Sequence, residues 1–336
     1  AVYGQAVKNA EELAVKEINA ANGSDVFEWK FEDDEHDAEK SVNAYNTLKD
    51  WGLQVLAGPV TTTPSIAVAA ETANDNLFMM TPSASAPAVI ESGDNVFQIC
   101  FTDPNQGTAS ADYMSQHYAD AKIAVIYRND DAYSQGIRDA FVKEAGDKGL
   151  SIVYQGTFTL DTSSNFSVQL AAAQTAGADL VFLPIYYQPA SVIFAQAKAM
   201  GYAPTFFGVD GMDGILTMPG FDVALAEDVM LLTPFSADAP DELTKSFVGK
   251  YQEKYGEVPN QFAADAYDGI YALAAAAEKA GVKGDEAAED ICDAMIAAMQ
   301  ELTVTGLTGT MVWDATGAVT KTPTAVIIKN GVYDGA

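Results

Sequence analysis

Residues 55–87 read VLAGPVTTTPSIAVAAETANDNLFMMTPSASAP, and the succession of residue types decides the fold. An apolar run over 53–57 stops at Gly58-Pro59, and Thr61, Thr62 and Thr63 follow before a small-residue helical segment over 64–74. A second apolar run, 77–80, breaks into Thr81-Pro82-Ser83-Ala84-Ser85-Ala86-Pro87. Strand, hydroxyl loop, helix, strand, hydroxyl loop is the repeat of a parallel α/β sheet. Both loops then leave at the same carboxyl edge, where such sheets take their ligands. Hydroxyls and backbone N–H groups beside a helix start suit a small anion, although Thr and Ser there can also serve only as helix caps. With no glycine-rich loop or lysine beside them, the hydroxyls suit a carboxylate better than a phosphate.

The same rhythm extends in both directions. Upstream, Ala6, Ala10, Leu13, Ala14, Glu17 and Ile18 fall at helical spacing, with Glu17 the one charge on an apolar stripe. Residues 26–31 (VFEWKF) alternate as a strand, the acidic EDDEHD of 32–37 follows, and 38–51 read as a helix. A doubly wound domain that opens on a helix lacks its first strand. The expectation is a strand outside these residues or an open sheet edge.

Downstream, the rhythm restarts after Asp103. Strands are expected over 122–127, 152–157, 179–185 and 205–208, with helices between them, and a strand over 228–232 ends the set. Three helices then follow without strands (241–255, 262–280, 285–301), and strand-like segments over 309–313 and 324–329 close the chain. The predicted class is α/β, with two doubly wound parallel-sheet lobes. Lobe 1 takes 1–103 and 235–313, and lobe 2 takes 104–234 and 314–336. Three chain crossings near Asp103, Pro234 and Asp314 form a hinge, with a ligand cleft between the lobes.

Composition narrows the function. The 336 residues carry 18 Lys plus Arg against 47 Asp plus Glu, a net charge of -29. That disfavours nucleic acid and anionic membrane surfaces as partners. No apolar run of about eighteen residues is present, so no direct membrane insertion is expected. Cys100 and Cys292 both lie in apolar or alanine-rich stretches and read as buried thiols. Nucleotide-binding, hydrolase and zinc-protease motifs are absent. His36 and His117 are the only histidines, and no nucleophile–base pair assembles. Neither an enzyme, a cofactor nor a metal is therefore expected, and the acidic run around His36 reads as a solvated loop.

Asp210 stands apart. It follows the apolar run 205–209 and precedes Gly211, which places a carboxylate at a strand's carboxyl end in the second lobe. A carboxylate facing an anion-binding loop suits a zwitterion, a free α-amino acid; an Asp before Gly can also simply form a turn. Tyr133, Tyr186 and Tyr187 lie at strand ends of the same lobe, with Phe101 near a crossing, and can wall an apolar pocket.

These features, with AVKEINAANG (14–23), FTDPNQG (101–107), YSQG (133–136), QAKAMG (196–201), YQEKYGEVP (251–259), AYD (266–268) and GLTG (306–309), resemble the substrate-binding proteins of branched-chain amino acid ABC transporters. Those proteins have the type I periplasmic binding protein fold, and the resemblance covers nearly the whole chain. It implies that Thr62 and Ser85 offer hydroxyls to a ligand carboxylate, helped by backbone N–H groups near Thr62 and Ser85, with Ala84 among the ligand-binding residues. It implies that Ser83, Ser85 and Asp210 hold the ammonium group. Asp103 would sit at the hinge, and Tyr3, Tyr133 and Tyr186 would line the pocket with Phe101 beside them. Ser85 and Asp210 stand where the family more often has threonine and glutamate, so the ligand can sit differently from leucine, isoleucine or valine. The implied protein is a monomer, periplasmic or lipid-anchored, that closes on its amino acid and docks on a membrane permease. The alternative is a sensing domain of the same fold for another small molecule, such as an amide or aromatic acid.

Overall fold

The computed structural model describes residues 2–321 and 323–335. Ala1, the position expected to lead into the first helix, lies outside them, as do Thr322 and Ala336. The chain divides into two compact units. One takes residues 1–102 and 239–322, the other 103–238 and 323–336.

The first unit opens with α1 (Val2–Asn22) and α2 (Ala38–Trp51), followed by β1 (Val55–Ala57), α3 (Thr62–Asp75), β2 (Phe78–Thr81) and β3 (Val96–Gln98). The three strands are parallel, in the order β1-β2-β3. The alternating stretch 26–31 is not a strand: among the described residues no ladder includes it, and β1 has no second neighbour. Alternation makes a segment fit for pairing, but a strand exists only where another backbone takes up its N–H and C=O groups.

The second unit follows with α4 (Asp103–His117), β4 (Lys122–Arg128), α5 (Ala132–Asp147), β5 (Ser151–Phe158) and α6 (Ser167–Thr175). It continues through β6 (Leu180–Leu183), α7 (Tyr187–Met200), β7 (Thr205–Gly208) and β8 (Met230–Thr233). The chain then returns to the first unit for α8 (Glu242–Tyr255), α9 (Gln261–Ala280), α10 (Ala288–Met299), β9 (Thr303–Gly306), β10 (Gly309–Trp313) and β11 (Val319–Thr320). The last three form a small antiparallel sheet. Residues 314–321 belong to this unit because Val319 pairs with Trp313, and the Gly317 carbonyl accepts the Gln98 N–H at 2.9 Å. The second unit ends with β12 (Thr324–Lys329) and β13 (Val332–Gly335).

The second unit's sheet has the order β13-β12-β8-β7-β6-β4-β5. Strands β8, β7, β6, β4 and β5 run parallel, and β12 and β13 continue the sheet antiparallel at the edge beyond β8. Because β5 and β6 flank β4 on opposite sides, the sheet changes direction between β4 and β6. That switch point opens a crevice at the carboxyl ends of the strands. One packed layer of Ile123, Val125, Phe141, Phe182 and Phe207 fills the core, with Phe141 stacked on Phe182 at 4.0 Å.

In the first unit the small residues Ala6, Ala10 and Ala14 of α1 are buried, as are Ala263, Ala266 and Ile270 of α9, so the two helices pack closely. Glu17, the charge on the stripe, accepts hydrogen bonds from the hydroxyls of Tyr267 and Tyr271 and pairs with Lys250 at 3.2 Å. Its carboxylate thereby joins α1 to α8 and α9. Cys100 and Cys292 are buried and unbridged, and burial pushes the Cys292 thiol up to about 12.

Candidate functional site

In the first unit, two loops leave the carboxyl ends of the parallel strands β1 and β2. Two hydroxyls join them. Thr81 Oγ1 donates to the Pro59 carbonyl at 2.8 Å and accepts the Ala84 N–H at 3.0 Å, and Ser83 Oγ donates to the Val60 carbonyl at 2.6 Å. Gln98 supports the second loop from within the core, its Nε2 donating to the Ala84 and Ala86 carbonyls on either side of Ser85. Ser85 is left buried with its Oγ bonded to nothing among the described residues. Thr62, also buried, is the first residue of α3. The first N–H groups of a helix have no partner within it. Thr61 at the cap makes no side-chain bond to them; its Oγ1 lies 2.6 Å from His36 Nδ1.

The expected residues Thr62, Ser83, Ala84 and Ser85 are thus in one place. The Ala84 N–H and the Ser83 hydroxyl are already engaged, which leaves the Ser85 hydroxyl and the α3 N-terminus as donors. Tyr3 packs edge-on against Phe262 with ring centres 4.7 Å apart, and Phe101 is buried at the end of the first segment.

In the second unit, Asp210 follows β7, Tyr133 sits in the first turn of α5 after β4, and Tyr186 caps α7 after β6. All three occupy the carboxyl edge at the switch point. The Tyr133 and Tyr186 rings stack at 4.6 Å and 10°. The Tyr133 hydroxyl donates to Asp210 Oδ1 and accepts the Gly211 N–H at 2.8 Å, and Gln106 Oε1 accepts the Asp210 N–H at 2.9 Å. Asp103 is buried in the same unit at the start of α4. Tyr187 is buried as the first residue of α7.

Burial raises the Asp210 carboxyl to about 6. The Tyr133 hydroxyl, the Gln106 side chain and the Gly211 N–H oppose the rise, and the Asp213 charge adds to it. Burial, then the Asp210 charge, pushes the Tyr133 hydroxyl well above its ordinary value. No Lys or Arg bonds Asp210 among the described residues. Asp210 is therefore a buried, hydrogen-bonded acceptor without a cation, at a sheet edge fit for a ligand.

Gln106, Gly107 and Gly211 carry parts of this site that their residue types alone do not announce. A Cβ on Gly107 would lie 2.5 Å from the Ile137 carbonyl, so its absence lets α4 and α5 close and brings Gln106 to Asp210. A Cβ on Gly211 would meet Tyr133 Oη at 2.6 Å and Tyr186 Cδ1 at 2.9 Å. Gly211→Ala is expected to part the stacked tyrosines and weaken ligand binding about tenfold, roughly the worth of one good hydrogen bond to a charge. An affinity within twofold of wild type by titration calorimetry would mean the pair does not hold Asp210. Among the described residues no group of three or more His, Cys, Asp or Glu is placed to hold a metal ion.

The periplasmic binding protein family profile matches residues 1–328, and the chain belongs to that family. It is similar to Leu/Ile/Val-binding protein homolog 3 of Brucella melitensis, with 28% identity over 299 residues, 86% of this chain and 78% of that protein. Among solved structures it is similar to the branched-chain amino acid transporter substrate-binding protein of Streptococcus pneumoniae in complex with isoleucine. That match has a TM-score of 0.88 and 27% identity, and covers 100% of this chain and 94% of the other. A solute-binding protein of R. palustris in complex with benzoate, 20% identical over 99% of this chain and 91% of its own, shares the fold with a TM-score of 0.86. The α/β architecture with parallel-dominated sheets is the type I periplasmic binding protein fold.

Proposed function

We propose that the chain is the solute-binding component of an ABC transporter for a free amino acid with a hydrophobic side chain, working by binding and not by catalysis. Asp210 carries this reading, as a buried carboxylate at the carboxyl edge of the second unit's sheet to which no Lys or Arg is bonded among the described residues. It takes the ligand's ammonium group, and the Ser83 carbonyl and Ser85 share that group. The Ser85 hydroxyl, Thr62 and the N–H groups at the start of α3 take the carboxylate, because a helix N-terminus favours negative charge. Tyr186, stacked on Tyr133, offers an apolar wall to the side chain, with Tyr3, Phe101 and Asp103 at the margins. The ligand engages both halves, and it shifts any balance of conformations only by its preference for one of them.

The family works outside the cytoplasm, and the name and bound isoleucine of its relatives support an amino acid as cargo. A monomer, free in the periplasm or held by a lipid, would deliver it to a membrane permease. No helix among the described residues is long and apolar enough to cross a membrane. A thermal-shift screen against the free amino acids, with benzoate-type acids and amides in parallel, tests the reading, since a ligand that binds only the folded chain raises Tm. A rise with hydrophobic amino acids is expected. A response only to ligands without an ammonium group would replace the reading with that of an acid or amide sensor.

A further inference from the structure

Asp210 lies in a tight turn whose far end is held from the C-terminus of the chain. Within the turn, residues 210–212 form one 3-10 turn, and the Asp213 N–H donates to the Asp210 carbonyl at 2.9 Å. Asp213 is buried, and its Oδ1 accepts two hydrogen bonds, from the Gly214 N–H at 2.9 Å and from the Tyr333 hydroxyl at 2.6 Å. Tyr333 belongs to β13, the outermost strand of the sheet, opposite Ile328 of β12.

We infer that Tyr333 is a positioning residue for ligand binding, acting through Asp213 on the turn that presents Asp210. The inference rests on the reading of Asp210 as the ammonium acceptor. Two carboxylates three residues apart in one buried turn repel each other, and each needs its own donors to stay ionised and aimed. Asp210 has the Tyr133 hydroxyl and Gln106; Asp213 has Gly214 N and the Tyr333 hydroxyl. Remove the Tyr333 hydroxyl and the Asp213 carboxylate loses a donor that fixes its direction, so the turn it closes settles differently. Asp210 shares a backbone hydrogen bond with it and moves too. The other charged and titratable groups around the turn are Tyr186 and Tyr187 at the start of α7, Asp103 and Asp131 beside the stacked tyrosines, and Arg128. β8, which also packs on the turn, brings none.

Two variants test this. Tyr333→Phe, which keeps the ring and its packing, is expected to weaken amino acid binding about tenfold at pH 7.5 by calorimetry, the scale of one hydrogen bond to a charged group. Asp213→Asn removes the like charge and is expected to lower the Asp210 titration midpoint by about half a pH unit or more. That midpoint is read in the unliganded protein by carboxyl-carbon NMR and assigned by its loss in Asp210→Asn. A Tyr333 that merely fastened the C-terminal strand would lower Tm in Tyr333→Phe and leave both affinity and the Asp210 midpoint where they were; that pair of results overturns the inference. An unmoved midpoint in Asp213→Asn overturns it as well. If the wild type binds no amino acid in the screen above, the function falls first, whereas the NMR midpoint still reports whether the turn couples the two carboxylates.

Discussion

Lys321→Met is expected to lower the unfolding free energy by about 3–5 kcal/mol. Lys321 Nζ meets Asp265 Oδ1 at 2.9 Å, and the two side chains are only 1% and 2% exposed. The charge of Lys321 also opposes the effect of burial on Asp268. Asp268 in turn accepts the N–H groups of Leu307 and Thr308 and the Thr308 hydroxyl, fixing the turn between β9 and β10 on α9. Removing the ammonium group takes the buried counter-charge from one carboxylate and unsettles a second. Methionine fills the space of the stem, so the cost measured is that of the missing charge and not of a cavity. The urea midpoint, with its slope checked for constancy, reads the change. The double variant Lys321→Met/Asp265→Leu should recover much of it, because an apolar pair of similar volume replaces a buried ion pair at little net cost. A single-variant loss below about 1 kcal/mol would place this pair in the energetic class of exposed ones.

Asp210→Ala is expected to cost about 2–5 kcal/mol of ligand binding, since the ammonium group is then buried without its counter-charge. Acidity gives a second reading of the same residue. In the folded chain the Asp210 carboxyl titrates at about 6 against an ordinary value of 3.8, chiefly through burial. The folded value is the higher one, so the folded chain holds this proton more tightly than the unfolded chain. Ionised Asp210 therefore costs stability above pH about 6, by roughly 3 kcal/mol, and the cost is gone below the unfolded value. Lowering the pH from 7.5 to 5 should raise the Tm of the unliganded wild type relative to Asp210→Asn. Binding runs in the opposite direction, because the ammonium group needs the carboxylate, and affinity should fall as the pH drops through about 6. An Asp210→Asn variant that binds as tightly as the wild type, with the same acid limb, would exclude Asp210 from the site.

The parts of the fold that depend on local pattern were legible. The helical stripe of α1, the strand-and-hydroxyl-loop units around β1 and β2 and the apolar runs of β4, β6 and β7 all follow from period and punctuation. Residues 26–31 show the limit, since their alternation is real but a ladder needs a neighbouring backbone that no local pattern reports. Glu17 shows it from the other side. It spoils the stripe of α1 because its partners, Tyr267 and Tyr271, lie some 250 residues away. Of the proposed site, Thr62, Ser85 and Asp210 could be named from the sequence because each follows a strand that could be recognised. Gln106, Gln98 and Tyr333 could not, since an amide in a helix or a tyrosine in an edge strand has no distinctive spacing. Such contacts arise only when the fold brings separate segments together.

The two cysteines have a practical consequence. Both are buried, and the Cys292 thiol is held at about 12, where almost none of it is the reactive thiolate at neutral pH. A single cysteine engineered on the surface would thus be the one position open to a maleimide dye. An environment-sensitive fluorophore placed at the rim of the carboxyl edge would then turn the folded protein into an optical meter for its own ligand, with no native thiol to remove first.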